Sequence, residues 1–339
     1  MDDTLIHSTQ QAEGWTAKYG LDYYQRGGIP ADLSRQNDER PSQRLQRDRG
    51  VGFLLGKKSA YGVVENRRFA IYIISYVFFV ALQYQFAKNA LLYASPSIFM
   101  TLRFAVAASV AFVLAGSSRP TLNFDTVLLG VFTWVSSALW ILGLESVSPS
   151  QSAVVSYTMP FFAIPFSRLL LGEKETPMQW VGTVIGFSGT LVYGLELSNT
   201  GATMVGGVLT AGSAVFWALF TVYYRKLKEQ NILLTVGTQC LISALLFSAM
   251  TPFDLKIRLT ESFYLDLGFV SLLGGLGAFV LWNAMAKIQP IGRLTTLAFA
   301  VPAVTIVLQS LETVTTPPLP SLVGLALMFL GIYVSYAIN

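Results

Sequence analysis

The stretch SPSQSAVVSYTMPFFAIPFSRLLLGEKETPMQWVGTVIGFSGTLVYG, residues 148–194, decides how this chain is read. It reads as two apolar helices joined by a short polar turn. The first carries Pro160 in its middle and stops at Gly172-Glu173-Lys174; the second carries Gly182, Gly186 and Gly189. An apolar run of about 20 residues matches a bilayer hydrocarbon core of roughly 30 Å. A proline inside a soluble helix costs about 3 kcal/mol, whereas a membrane helix tolerates it when neighbours re-satisfy the freed carbonyl.

Much of this stretch returns 142 residues later without a gap. Trp140 meets Trp282, Pro160 meets Pro302, Gly182 meets Gly324, Phe187 meets Phe329 and Gly189 meets Gly331. Matching leucines would mean little in so apolar a chain. Tryptophan, proline and two glycines in one register mark an internal repeat.

Composition agrees with a membrane protein. Of 339 residues, 53% are hydrophobic and only 12% charged, with a mean hydropathy of +0.53. An average soluble domain carries roughly 25% charged residues. The one cysteine, Cys240, excludes an internal disulfide, and the one histidine, His7, argues against a histidine metal site. No cofactor is expected. The net charge of +4 is small, and no nucleic-acid partner is expected; basic residues beside a membrane report orientation.

Residues 1–66 are polar, carry charge of both signs and lack a sustained apolar period; we expect a disordered cytoplasmic tail. No apolar h-region marks a signal peptide, and Asp2, Asp3, Glu13 and Asp22 argue against a transit peptide. Gly52–Lys58 fails as a phosphate loop: Val51 stands where the first glycine belongs and Lys58 where Ser or Thr belongs. Ten apolar spans follow, near 69–88, 96–116, 124–145, 150–171, 178–197, 203–224, 232–251, 264–286, 292–312 and 319–338. Short Pro- and Gly-marked breaks make neighbours antiparallel. The expected fold is all-α, with five-helix repeats over 67–198 and 199–339.

Lys57, Lys58, Arg67, Arg68, Arg119, Lys174, Arg225, Lys226, Lys228, Lys287 and Arg293 fall on one side, against Lys88, Lys256 and Arg258 on the other. That bias places both termini in the cytoplasm of a multi-pass protein of the cell membrane. Five spans per repeat is an odd number, so the second repeat must cross the membrane inverted. Inverted repeats are a common transporter plan, with the substrate site near the midplane between them.

The first half, with Lys88, Arg103-Phe104, Trp140, Pro160 and Gly172-Glu173 before a glycine-bearing helix, resembles an EamA domain. The second half is similar but looser. The whole, over about residues 67–338, resembles a ten-span member of the drug/metabolite transporter superfamily. One departure stands out: the family's proline-to-glutamate spacing would place a second glutamate at position 315, where this chain has Thr315, with Glu312 nearly one turn earlier.

Polar faces inside apolar helices mark candidate function. Thr133, Ser137 and Trp140 share one stripe, and Ser152, Ser156 and Pro160 another with Tyr157 beside it. Thr210, Ser213, Trp217 and Tyr224 align, as do Thr305, Gln309 and Glu312. Tyr76 and Gln83 share a face of span one, and Asn283 follows Trp282. The candidate substrate residues are therefore Gln83, Ser137, Trp140, Ser156, Tyr157, Trp217, Trp282, Asn283 and Gln309, with Pro160 and Pro302 as flex points. Hydroxyls also serve plain helix packing. Arg103 is a candidate for an anionic group or a coupling site; structural snorkelling is the competing account. Glu173 is the other candidate for a charge role; it sits at a helix end beside Lys174, and an interfacial ion pair with it is the competing account. Gly182 and Gly186 form a GxxxG pair whose default is close helix packing, a homodimer being one version of it.

These residues imply a secondary transporter that exports a small amphiphilic metabolite, amino acid or drug-like compound by alternating access. Its partners would be that small molecule and the lipid bilayer. A membrane-embedded enzyme would need a cluster of His, Cys or paired acids within the spans, and none is evident. A receptor or scaffold using the tail as a binding arm is the other alternative.

Overall fold

The computed structural model describes residues 67–117, 119–197, 204–227, 231–253 and 255–337. The expectations for residues 1–66 lie outside them. In chain order the helices are α1 (Arg67–Ala90), α2 (Pro96–Leu114), α3 (Phe124–Glu145), α4 (Pro149–Ser156), α5 (Met159–Leu171), α6 (Pro177–Leu197) and α7 (Met204–Lys226). The second half continues with α8 (Ile232–Ser248), α9 (Glu261–Ser271), a π-helical turn (Leu272–Gly277), α10 (Ala278–Ile288), α11 (Ile291–Leu297), α12 (Ala300–Thr313) and α13 (Leu319–Ala337).

These make ten spans, because α4–α5, α11–α12 and α9–α10 each form one. Nine are long and apolar enough to cross a bilayer by length and composition among the described residues, and α6 takes the tenth place. The fold is all-α and membrane-spanning. Side chains such as Ile71, Ile74, Val113, Leu169 and Leu191 are more than half exposed, as lipid-facing positions should be.

The structure corrects the reading of Pro160 as a mid-helix residue. Span four breaks at Tyr157-Thr158, and Pro160 opens α5 in its first turn. There the missing N–H is a group the helix would leave unpaired anyway. Span nine breaks at Ala298-Phe299, and Pro302 lies in the first turn of α12. The proline inside a helix is Pro165.

The repeat is visible in the packing. α6 lies against α13 where both backbones are bare. A Cβ on Gly182 would sit 2.5 Å from the Gly331 carbonyl oxygen, and one on Gly189 2.5 Å from that of Gly324. The 142-residue register carries Gly182 to Gly324 and Gly189 to Gly331, so it exchanges the two contacts. Only a two-fold relation between antiparallel helices does that. α2 on α8, and α3 on α8 beside α2 on α9, repeat the pattern. On one face the turn after α1 joins the segment before α9: Ser95 N–H donates to Lys256 O at 2.8 Å, and Arg258 N–H to Tyr93 O at 2.7 Å.

The helix ends obey the same register. α5 closes on Gly172 in the left-handed region (φ 68°), and α12 closes 142 residues later on Val314 at φ 51°. Glycine adopts that conformation freely; a β-branched residue does not.

Replacing Val314 with glycine should therefore raise thermal stability by about 1 kcal/mol, read as a higher melting temperature; a fall would mean the left-handed cap is held by something other than the repeat. Gly182→Ala and Gly331→Ala should each destabilise by about 1–3 kcal/mol through overpacking. Gly207→Ala, with nothing within 4 Å of the added carbon, should not.

Candidate functional site

Between the repeats lies a cavity with an empty volume of about 620 Å³. α1 contributes Tyr76, Val80, Gln83 and Tyr84, spaced to share one helical face. α2 adds Arg103, and α3 adds Ser136, Ser137 and Trp140. Ser156 and Tyr157 come from the break in span four, Ser213, Ala214 and Trp217 from α7, and Gly274, Ala278 and Phe279 from the π-turn and α10. Discontinuous helices expose polar backbone at membrane depth only where it is buried in protein or lines a cavity, and π-turns recur at such places.

Seven of the sequence candidates meet here: Gln83, Arg103, Ser137, Trp140, Ser156, Tyr157 and Trp217. Arg103 is 3% exposed. Its Nη2 donates to Gln83 Oε1 at 3.0 Å, and its Nη1 reaches only the Met100 sulfur at 3.8 Å. The guanidinium carbon stands 5.3 Å from the Trp140 ring centroid and 5.2 Å from that of Phe104, within cation–π range. Trp140 meets Tyr84 edge-on, the Tyr76 and Tyr157 hydroxyls approach at 3.4 Å, and Ser136 donates to Ser213 O across the α3–α7 seam at 3.1 Å.

The other candidates lie elsewhere. Trp282 is fully buried behind the wall. Its Nε1 donates to Thr221 Oγ1 at 2.9 Å, while its ring stacks on Tyr76 and lies 6.3 Å from Trp217. Asn283 is also fully buried, and among the described residues neither side-chain amide atom has a partner. Gln309 Oε1 accepts from Ser150 N–H at 3.0 Å, so it caps α4 from the opposite repeat. Pro160 and Pro302 flank the helix breaks.

Glu173 pairs with Arg225 and not with Lys174. Its other oxygen accepts from Ile291 N–H at 3.1 Å, and Glu175 accepts from Gly292 N–H at 3.2 Å. Two carboxylates thus meet the positive N-terminus of α11. Burial, with the nearby Glu173 charge adding to it, holds the Glu175 carboxyl above its usual pKa; the Gly292 N–H opposes this.

Arg225 also donates through Nη1 to Ala286 O and to Gln289 O, the latter at 2.7 Å, closing the C-terminal end of α10. Lys88 does the same for α3, donating to Leu144 O, Glu145 O and Val147 O at 2.6, 2.9 and 3.0 Å. Leu144 and Ala286 are 142 residues apart, and so are Val147 and Gln289. One cation at the end of α1 and another at the end of α7 thus cap equivalent carbonyls, on opposite sides of the cavity.

Sequence reasoning missed Tyr84, Ser136, Gly274 and Phe279 as lining. Tyr84 had a signal, since it lies eight residues after Tyr76 on the same helical face. Gly274 had none, because only the π-turn brings it forward: a Cβ there would lie 2.8 Å from Gln83.

This architecture matches the EamA-like transporter family over residues 67–195 and again over 204–337. The chain belongs to the EamA-like transporter family. It is similar to an uncharacterized transporter in the sor 3' region of Acidianus ambivalens, 41% identical over 70% of this chain and 92% of that protein. A riboflavin transporter of Vibrio cholerae is 31% identical over 42% of this chain and 46% of its own length. A crystal structure shares the fold, with a TM-score of 0.68 and 19% identity over 80% of this chain and 97% of the other. With the EamA-like family's transporters as relatives, this is a multi-pass membrane protein of the transporter class.

The tryptophans related by the EamA repeat should separate experimentally. Trp282→Phe removes the donor to Thr221 and should cost about 1 kcal/mol. Trp140→Phe loses an Nε1 that has no partner among the described residues and should leave the melting temperature nearly unchanged. Equal falls would make both tryptophans packing residues.

Proposed function

We propose that this protein is a secondary transporter of the cell membrane, with both termini cytoplasmic, that exports a small amphiphilic compound by alternating access. The observation that carries this reading is the pair of cation caps on carbonyls that the 142-residue register relates, one cap at the end of α1 and one at the end of α7. Lys88 would hold α1 to α3 on the outer face, and Arg225 would hold α7 to α10 on the inner face. Opening either face requires breaking one set of charged hydrogen bonds while the equivalent set keeps the other face shut. The helix breaks beside Pro160 and Pro302 supply backbone that can bend without losing a continuous hydrogen-bond ladder.

The walls fit the proposed substrate class. Tyrosine and tryptophan rings pack an apolar body, while serine hydroxyls, Gln83 and Arg103 read its polar part. One relative is named a riboflavin transporter; a planar ring system with polar edges is one amphiphile such a cavity would take. The GxxxG face of α6 packs within the chain, Gly182 on Gly331 and Gly186 on Phe299, so a homodimer would use another surface.

In a Cys240→Ser background, a cysteine at Ser137 reports which face admits an impermeant thiol reagent. A hydrogen bond to a charged group is worth about 1.5–3 kcal/mol, so losing a cap should shift the open-face population about tenfold or more. Arg225→Gln should raise labelling from the cytoplasmic face, and Lys88→Met from the outer face, with transport slowed in both. Unchanged sidedness in both variants would end the alternating-access reading.

A further inference from the structure

Arg103 is the charge in the cavity wall that the structure leaves unanswered. Among the described residues no carboxylate lines the cavity, and Arg103 has no ion pair with any of them. A guanidinium has five N–H donors and stays protonated in proteins. Here one bond goes to the neutral Gln83 oxygen, one weak contact goes to a thioether, and Nε, fully buried, has no acceptor. An unpaired charge at membrane depth is costly and does not persist by packing alone.

The surroundings hold this cation in place without neutralising it. The Trp140 and Phe104 rings flank it, and Gln83 fixes one edge of the fork. The glycine turn brings backbone close: a Cβ on Gly275 would lie 3.7 Å from Nε. Trp140 Nε1, also buried and without a partner, adds a donor beside the guanidinium.

We infer that the cavity takes an organic anion, its carboxylate or other singly charged acid group bound by Arg103 and its apolar body packed between Tyr76, Tyr84 and Trp217. Gln83 is a positioning residue that aligns the guanidinium. The inference rests on the transport reading only in taking this cavity as the substrate site. A chloride-sized ion would answer the charge but leave the aromatic walls empty, so the organic body is part of the claim.

Matched pairs differing only in charge test it: 3-phenylpropionate with 3-phenylpropanamide, and indole-3-acetate with indole-3-acetamide. Binding to the purified full-length protein is read by thermal shift at pH 7, and uptake into proteoliposomes is read separately. Each acid should bind about tenfold or more tightly than its amide. Arg103→Gln should abolish that preference, and Arg103→Lys, which keeps the charge but not the fork, should reduce it. Gln83→Leu should weaken acid binding less than either. If Arg103→Gln does not fold, the Lys and Leu variants still decide. Amides bound as well as acids, or sodium chloride stabilising the protein as strongly as the organic acids do, would overturn the anion assignment while leaving transport standing. Arg103-dependent acid binding without uptake of any probe would support the anion site and remove the transport reading.

Discussion

Two helices touch backbone to backbone at the glycines of α6 and α13, and the arrangement of the rest follows from that contact. Gly182 faces Gly331 and Gly189 faces Gly324, with no room for a Cβ at either crossing. In hydrocarbon there is little hydrophobic drive between helices, so close van der Waals approach must supply it. Because the register exchanges the two contacts, the crossing marks the two-fold that relates the repeats. α2 on α8 obeys the same two-fold, and the carbonyls capped by Lys88 and Arg225 fall into equivalent places.

The same symmetry shows where the repeats have diverged. α5 ends on glycine, α12 on a strained valine at the equivalent position. Trp140 looks into the cavity, while Trp282 is tied to Thr221 behind it. Arg225 has Glu173 as a counter-ion, while Lys88 bonds the Leu144, Glu145 and Val147 carbonyls and the position equivalent to Glu173 is Thr315. A symmetric scaffold thus carries an asymmetric site. The Arg225 cap thus adds a salt bridge to its two carbonyls, where the Lys88 cap has three carbonyls.

Much of this was legible in the chain. Tryptophan, proline and glycine at one offset gave the repeat, because each is there for a shape or a backbone that other residues cannot copy. Polar stripes held the cavity residues Ser137 and Trp140 of α3 and Ser213 and Trp217 of α7, although Thr133, Thr210 and Tyr224 of the same stripes are not in its lining. Hydropathy could not show the breaks in spans four and nine, since an apolar window does not sense which hydrogen bonds are made. Pro160 was thus read as a kink when it starts a helix. The partner of Glu173 was also out of reach. Lys174 is adjacent in sequence, but only the fold brings Arg225 alongside.

The central claim is that opening one face requires closing the other. Spin labels at Asn89 and Ser146 report the α1–α3 distance on one face, and labels at Lys226 and Ile288 report the α7–α10 distance on the other; all four positions are exposed. Distance distributions measured by pulsed electron resonance in proteoliposomes should be bimodal on both faces. Lys88→Met should lengthen the first and shorten the second, and Arg225→Gln should do the reverse. Single, unshifted distributions, or two faces that open together, would contradict the account.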